Sequence, residues 1–181
     1  MSRWLKLAAQ VGAVGLVAAL FGLLVWKVVQ EDRTNVARSF EKGQKTRPVD
    51  FDLERLDGDG SLQLSSLRGK VVVINFWAAW CVPCKREAPL FQKAYEDYRG
   101  QVEFVGVDTA DFTGDARQFL SRYGVRYPNV RDPDTSVLDD YGGLPIPRTY
   151  VIGRDWVVSG YIYGETREET LRSAIEEALT T

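Results

Sequence analysis

The segment Trp80-Cys81-Val82-Pro83-Cys84 holds both cysteines of a 181-residue chain that contains no histidine. A pair of thiols three residues apart is suited to closing and opening a disulfide. If Cys81 sits at the start of a helix, backbone N–H groups and the helix dipole stabilise its thiolate and lower its pKa. The i, i+3 spacing then puts the second sulfur one turn along. Cys81 would attack a disulfide, and Cys84 would resolve the mixed disulfide that results. Pro83 suits the first helical turn, where its missing N–H is not needed. Other chemistries lack their parts. A zinc site needs four protein ligands, or three and an open position, and only two Cys or His residues exist. Without histidine there is no His-dependent triad and no His general base. A structural disulfide closing so short a loop would remove little unfolded-state entropy. A copper-thiolate carrier would call for further soft ligands, and Met1 is the only methionine. The net charge of −2, from 23 basic and 25 acidic side chains, gives no reason to invoke nucleic acid.

The elements around the dithiol can be read from periodicity. Val71–Trp77 is a continuous apolar run, the mark of a strand buried on both faces. A helix then starts near Cys81, with Phe91, Ala94, Tyr95 and Tyr98 at the helical period and Gly100 closing it. Pro89 is expected to kink that helix, since an interior proline removes a backbone bond. Upstream, Pro48–Leu56 alternates, Asp57-Gly58-Asp59-Gly60 is a turn, and Leu62 and Leu64 resume the alternation, which predicts a hairpin. The acidic turn is not a calcium loop, because Leu62 stands where glycine is needed and Arg68 where a bidentate glutamate is needed. Downstream come a buried strand at Val102–Val107, a helix at Asp115–Tyr123, a short strand at Asn129–Arg131 and a helix at Ser136–Tyr141. Arg148–Ile152 and Trp156–Ile162 flank Gly153-Arg154-Asp155 as a second hairpin. Glu165–Leu179 closes as an amphipathic helix with Leu171, Ala174, Ile175 and Leu179 on one face. This order is α/β, a mixed sheet covered by helices on both sides.

The N-terminus has a different character. Residues 1–47 carry eight basic and three acidic side chains, whereas 48–181 carry fifteen and twenty-two. Leu7–Trp26 is twenty residues without a charge, and as a helix it would reach about 30 Å, the thickness of a bilayer's hydrocarbon core. Trp4 and Trp26 bracket the stretch, and Arg3 and Lys6 precede it, which favours a cytoplasmic N-terminus with the rest of the chain on the far side. The run is too long for a cleaved signal peptide and ends without a small-residue cleavage site. Residues 1–29 are therefore expected to be a transmembrane anchor. The mostly polar residues 30–47 read as a linker, and 48–181 as the folded domain.

The sequence Val73 to Pro89, reading VINFWAAWCVPCKREAP, resembles the thioredoxin superfamily, and within it the membrane-anchored TlpA/ResA/CcmG group of bacterial thiol-disulfide oxidoreductases. Tyr141 to Ile152, reading YGGLPIPRTYVI, resembles that group's second signature, and Asp108–Asp132 its central insertion. The resemblance implies a thioredoxin-like fold with an N-terminal β-hairpin. It implies that Pro147 is the cis-proline facing the dithiol, with Pro145 the rival position, and that the backbone of Ile146 pairs with an incoming peptide. Asn75 stands where ordinary thioredoxins carry a buried Asp that manages the second cysteine's proton. Glu87 matches an acidic position of the group, three residues after Cys84, and is the candidate to exchange that proton; the alternative is a solvated helix glutamate. Trp77 is expected in the core and Trp80 as an exposed flank of the dithiol. Gly143 and Leu144 depart from the group's pattern. So does Arg148, which is expected to place a positive charge beside the substrate groove.

What the resemblance implies for function is a single-pass protein of the bacterial inner membrane, its domain on the periplasmic or extracytoplasmic side. It would reduce protein disulfides, such as those of apocytochrome c during cytochrome c maturation. Its electrons would come from a membrane donor of CcdA or DsbD type, and it would use no cofactor beyond the Cys81–Cys84 disulfide. The alternatives are a disulfide oxidase or isomerase, in which the same sulfurs run the other way, and a peroxiredoxin-like thiol peroxidase. The last would want Thr or Ser where Ala78 stands.

Overall fold

The computed structural model describes residues 2–30 and 35–180, and within the first stretch it gives side-chain environments for residues 12–26. Residues 35–180 belong to one compact unit and residues 2–30 to another. The first unit is helix α1 (Ser2–Gln30). The expected membrane span, residues 7–26, falls on this helix, but residues 7–11 lie outside the described side chains. A span takes about 20 apolar residues, and among the described residues no helix is long and apolar enough to cross a membrane.

The second unit begins ahead of Pro48, where composition had placed the boundary. Helix α2 (Val36–Glu41) occupies part of the expected linker. Asn35 caps it, its side-chain oxygen accepting the Arg38 N–H at 2.9 Å, an arrangement worth about 1 kcal/mol. Val36 and Ala37 are buried, and Phe40 meets Tyr161 edge to face with ring centroids 6.4 Å apart. Three apolar side chains within one helical turn thus outweigh the polar residues around them. The Thr46 carbonyl accepts the Val158 N–H at 2.9 Å and ties the following segment down as well.

Strands β1 (Asp52–Glu54) and β2 (Ser61–Gln63) form the expected antiparallel hairpin, Leu53 opposite Leu62. Leu64 does not extend it; Leu64–Leu67 is a turn of 3₁₀ helix. The main sheet contains β3 (Val71–Trp77), β4 (Val102–Thr109), β5 (Asn129–Asp132), β6 (Arg148–Ile152) and β7 (Val158–Tyr163), in the order β5-β4-β3-β6-β7. The pairs β3–β4 and β4–β5 are parallel, while β3–β6 and β6–β7 are antiparallel. Strand β3 is central, and each of its residues is buried, as an apolar run interrupted only by Asn75 leads one to expect.

The two faces of β3 feed two core clusters. Val71 and Val73 pack with Phe91 and Tyr98 of helix α3 (Val82–Asp97, with Tyr98 its C-cap) and with Leu171 and Ile175 of helix α6 (Glu168–Thr180). Val72, Ile74 and Phe76 pack with Leu138 and Tyr141 of helix α5 (Ser136–Tyr141), with Tyr150, and with Ala116 and Leu120 of helix α4 (Thr113–Tyr123). The central insertion is α4 and β5, which add a parallel strand to the sheet edge. Helix α3 continues through Pro89, whose missing N–H leaves the Lys85 carbonyl without its i+4 donor.

Candidate active site

Strand β3 ends at Trp77 and helix α3 starts at Val82, so Cys81 occupies the N-cap. Its sulfur accepts the Cys84 N–H at 3.2 Å, the interaction that stabilises a thiolate at a helix start. Cys81 and Cys84 are joined in a disulfide with Cα atoms 5.3 Å apart. Both are almost wholly buried, yet the residues beside Cys81 are not: Trp80 is 51% and Val82 58% exposed.

The loop ahead of β6 faces this pair. Both Leu144–Pro145 and Ile146–Pro147 are cis, so the two proline positions share the geometry that was expected of one. The Ile146 carbonyl lies 3.9 Å from the Cys81 sulfur. Arg148, expected as a charge beside the groove, is instead 93% buried, its guanidinium folded back on the Pro145 carbonyl at 3.1 Å.

Beneath the dithiol lies Glu87, only 2% exposed. Cys84 and Glu87 stand at i and i+3 on one helix face, where side chains are neighbours. Asn75 donates from Nδ2 to Glu87 Oε1 at 3.0 Å, and the Thr166 backbone N–H donates to Oε2 at 2.8 Å. Asn75 also reaches Thr149 Oγ1 at 3.2 Å. Burial pushes the Glu87 carboxyl up to about 7, against the pull of the Thr166 and Asn75 hydrogen bonds. It is therefore not the solvated helix glutamate of the alternative reading.

On the other side, the loop after β4 braces the residues that precede Cys81. The Asp111 carboxylate accepts the Ala79 N–H, and the Ala110 carbonyl accepts the Trp80 indole N–H at 3.0 Å. Trp77 turns inward, stacking on Phe119 at 4.3 Å and donating to Asn129 Oδ1 at 2.9 Å. A cavity of about 340 Å³ opens between Trp80 and α4, lined among others by Lys85, Phe112 and Tyr123. Asp108 was not among the sequence candidates. It is 1% exposed, neither oxygen has a hydrogen-bond partner among the described residues, and Arg131 Nε stands 3.7 Å away. Burial, reinforced by the charge of Asp111, pushes its carboxyl up to about 8. No metal-holding group of three or more Cys, His, Asp or Glu occurs among the described residues.

Residues 44–160 match the family model described as AhpC/TSA family. The chain belongs to that family. It is 31% identical over 174 residues to the thiol-disulfide oxidoreductase ResA of Halalkalibacterium halodurans, covering 96% of this chain and 93% of that protein. Among solved structures it resembles MTB dsbF, with 28% identity, a TM-score of 0.67, and coverage of 74% of this chain and 99% of that one. A thiol:disulfide interchange protein of the thioredoxin family from Chlorobium tepidum gives 27% identity and a TM-score of 0.67, covering 75% and 97%. The fold is thioredoxin-like, and the protein is a thiol-disulfide oxidoreductase of ResA type with Cys81–Cys84 as its CxxC pair. Such enzymes act on disulfide-containing proteins.

Proposed function

We propose that the protein is an extracytoplasmic protein-disulfide reductase, anchored through residues 7–26, in which Cys81 attacks, Cys84 resolves and Glu87 takes the resolving thiol's proton. The observation that carries this reading is Glu87, a buried carboxyl one turn beyond Cys84 that titrates at about 7. In the reduced enzyme the Cys81 thiolate attacks a client disulfide. A Cys81–client disulfide forms, and one client sulfur leaves as a thiolate. Glu87 then accepts the Cys84 proton. The Cys84 thiolate attacks the Cys81 sulfur, the mixed bond breaks, and the second client thiolate leaves. Two electrons have passed to the client, and the enzyme holds the disulfide.

Modest stabilisation of the Cys81 thiolate would favour the reducing direction. Oxidising power grows with stabilisation of the reduced form. No histidine assists here, and Arg86 is engaged by both oxygens of Glu165, at 3.0 and 2.8 Å from its Nε. In an oxidising compartment a reductant must itself be recharged, for which a membrane dithiol donor of CcdA or DsbD type fits the resemblance. An apocytochrome c awaiting haem attachment is the proposed client. The anchor reading rests on the uncharged run Leu7–Trp26 with Arg3 and Lys6 ahead of it; it predicts that detergent is needed to extract the chain from membranes, and recovery in the soluble fraction would refute it.

The attack order is tested by trapping. Cys84→Ser should accumulate mixed disulfides with client proteins, c-type apocytochromes among them, and Cys81→Ser should accumulate few. The reverse pattern would overturn the assignment of the nucleophile.

A further inference from the structure

The stretch Leu144-Pro145-Ile146-Pro147 poses a problem of attachment. Its two prolines have no N–H, so the segment offers mostly carbonyls by which it can be held. Pro147 O accepts the Gly164 N–H at 3.0 Å, which secures one end. Arg148 secures the other. Its Nε donates to Pro145 O at 3.1 Å, Nη2 reaches Leu144 O at 3.5 Å, and Nη1 donates to the Tyr161 hydroxyl.

The guanidinium is an unusual holder. It is 93% buried, and among the described residues no carboxylate stands within ion-pair distance of it. An unpaired buried cation is costly unless its donors are satisfied. Here the carbonyls and the hydroxyl satisfy them, and the ring of Tyr163, 5.0 Å from the guanidinium carbon, adds a cation–π contact. Tyr161 in turn stacks on Tyr150, 4.9 Å between centroids, and the Tyr150 hydroxyl donates to the Tyr141 carbonyl. The brace therefore ends in the core. Gly142 makes room for it: a Cβ there would stand 2.8 Å from Arg148 Nη1, and its φ of +128° is one that L side chains rarely adopt.

We propose that Arg148 is a positioning residue for client exchange, holding the Leu144 and Pro145 carbonyls so that the Ile146 peptide is presented beside the Cys81 sulfur. The inference rests on the reading that polypeptide disulfides are exchanged at Cys81 against this loop. A polypeptide client uses the loop through its backbone, whereas a disulfide with no peptide groups has only its sulfurs to offer. Removing the brace should therefore raise KM for a polypeptide and leave the reaction of a small disulfide unchanged. Lysine keeps the charge but lacks the planar fork that reaches several oxygens at once.

The test compares the full chain with its Arg148→Met and Arg148→Lys variants, using insulin as the polypeptide disulfide and bis(2-hydroxyethyl) disulfide as the one without peptide groups. Arg148→Met should raise KM for insulin about tenfold, the loss of one charge-assisted hydrogen bond, with kcat and the bis(2-hydroxyethyl) disulfide rate within about twofold. Arg148→Lys should fall between. An unchanged KM for insulin in folded Arg148→Met, or an equal loss on both substrates, would overturn the proposal. If Arg148→Met does not fold, Arg148→Lys decides, and a KM for insulin equal to wild type then refutes it. Failure of the wild-type chain to reduce insulin would instead refute the reductase reading. The same comparison would then be made on oxidation of a reduced dithiol peptide by the disulfide form, with the same outcomes.

Discussion

Glu87, in the second turn of α3, and Asp108, near the end of β4, are both almost fully buried carboxyls, and both are displaced upward, to about 7 and about 8. Their surroundings differ. Each oxygen of Glu87 receives a hydrogen bond, from Asn75 and from the Thr166 N–H. Neither oxygen of Asp108 receives one, and Arg131 Nε stays at 3.7 Å. Donors aimed at a carboxylate favour its charged form, and they draw the Glu87 carboxyl back down against the larger upward push of burial. Asp108 has only Arg131 at 3.7 Å to favour its charge, and burial with the charge of Asp111 pushes it further up. In the proposed mechanism Glu87 exchanges a proton and Asp108 does not.

The largest effect should come from Glu87→Gln. It is expected to slow client reduction about a hundredfold, the usual scale for losing a positioned acid or base, and to abolish the rate dependence centred near pH 7. Asp108→Asn should leave that rate within about twofold. Stopped-flow reduction of a client disulfide between pH 5 and pH 9 distinguishes the two. Equal losses in both variants would break the contrast.

Stability gives the next largest signal. A carboxyl whose folded pKa is raised costs the native state nothing below the unfolded value, and its cost grows as pH rises to the folded value. For Glu87 the window runs from the ordinary 4.5 to about 7, an effect of about 3 kcal/mol. For Asp108 it runs from 3.8 to about 8. Denaturant melts across pH 4–9 should therefore show stability declining with pH over these windows. Glu87→Gln should lessen the decline up to about pH 7 and Asp108→Asn should lessen it across the whole range up to about pH 8, leaving Asp108→Asn more stable than wild type above pH 8.

The smallest effect concerns the donor itself. Asn75→Leu removes a hydrogen bond that pulls the Glu87 carboxyl down. The kinetic pKa should rise by up to about one unit, since a unit corresponds to about 1.4 kcal/mol and one such bond is worth about that. An unmoved pKa would mean that burial and the Thr166 N–H set it without Asn75.

How far the sequence revealed these features depended on the distance of their causes. The dithiol's place at a helix start was legible, because strand, turn and N-cap lie within a dozen residues. The split between Trp77 and Trp80 was legible too, from the end of the apolar run. Glu87 was ambiguous, since its burial is decided by Asn75 on β3 and Thr166 ahead of α6. Asp108 closes a buried strand whose outer neighbour, β5, is set only by the insertion, so its enclosure gave no local sign. Arg148 read as a surface charge because its acceptors lie in a proline-rich loop and on β7. Helix α2 was hidden in a polar stretch, and only its contact partners on other elements give Val36, Ala37 and Phe40 their weight.

In the proposed reaction the dithiol works as a reductant with modest thiolate stabilisation. The most direct test is the equilibrium of Cys81–Cys84 in the full chain against a graded thiol–disulfide buffer at pH 7. A midpoint near about −250 mV is predicted, and one near about −120 mV, where strong oxidants lie, would contradict the account.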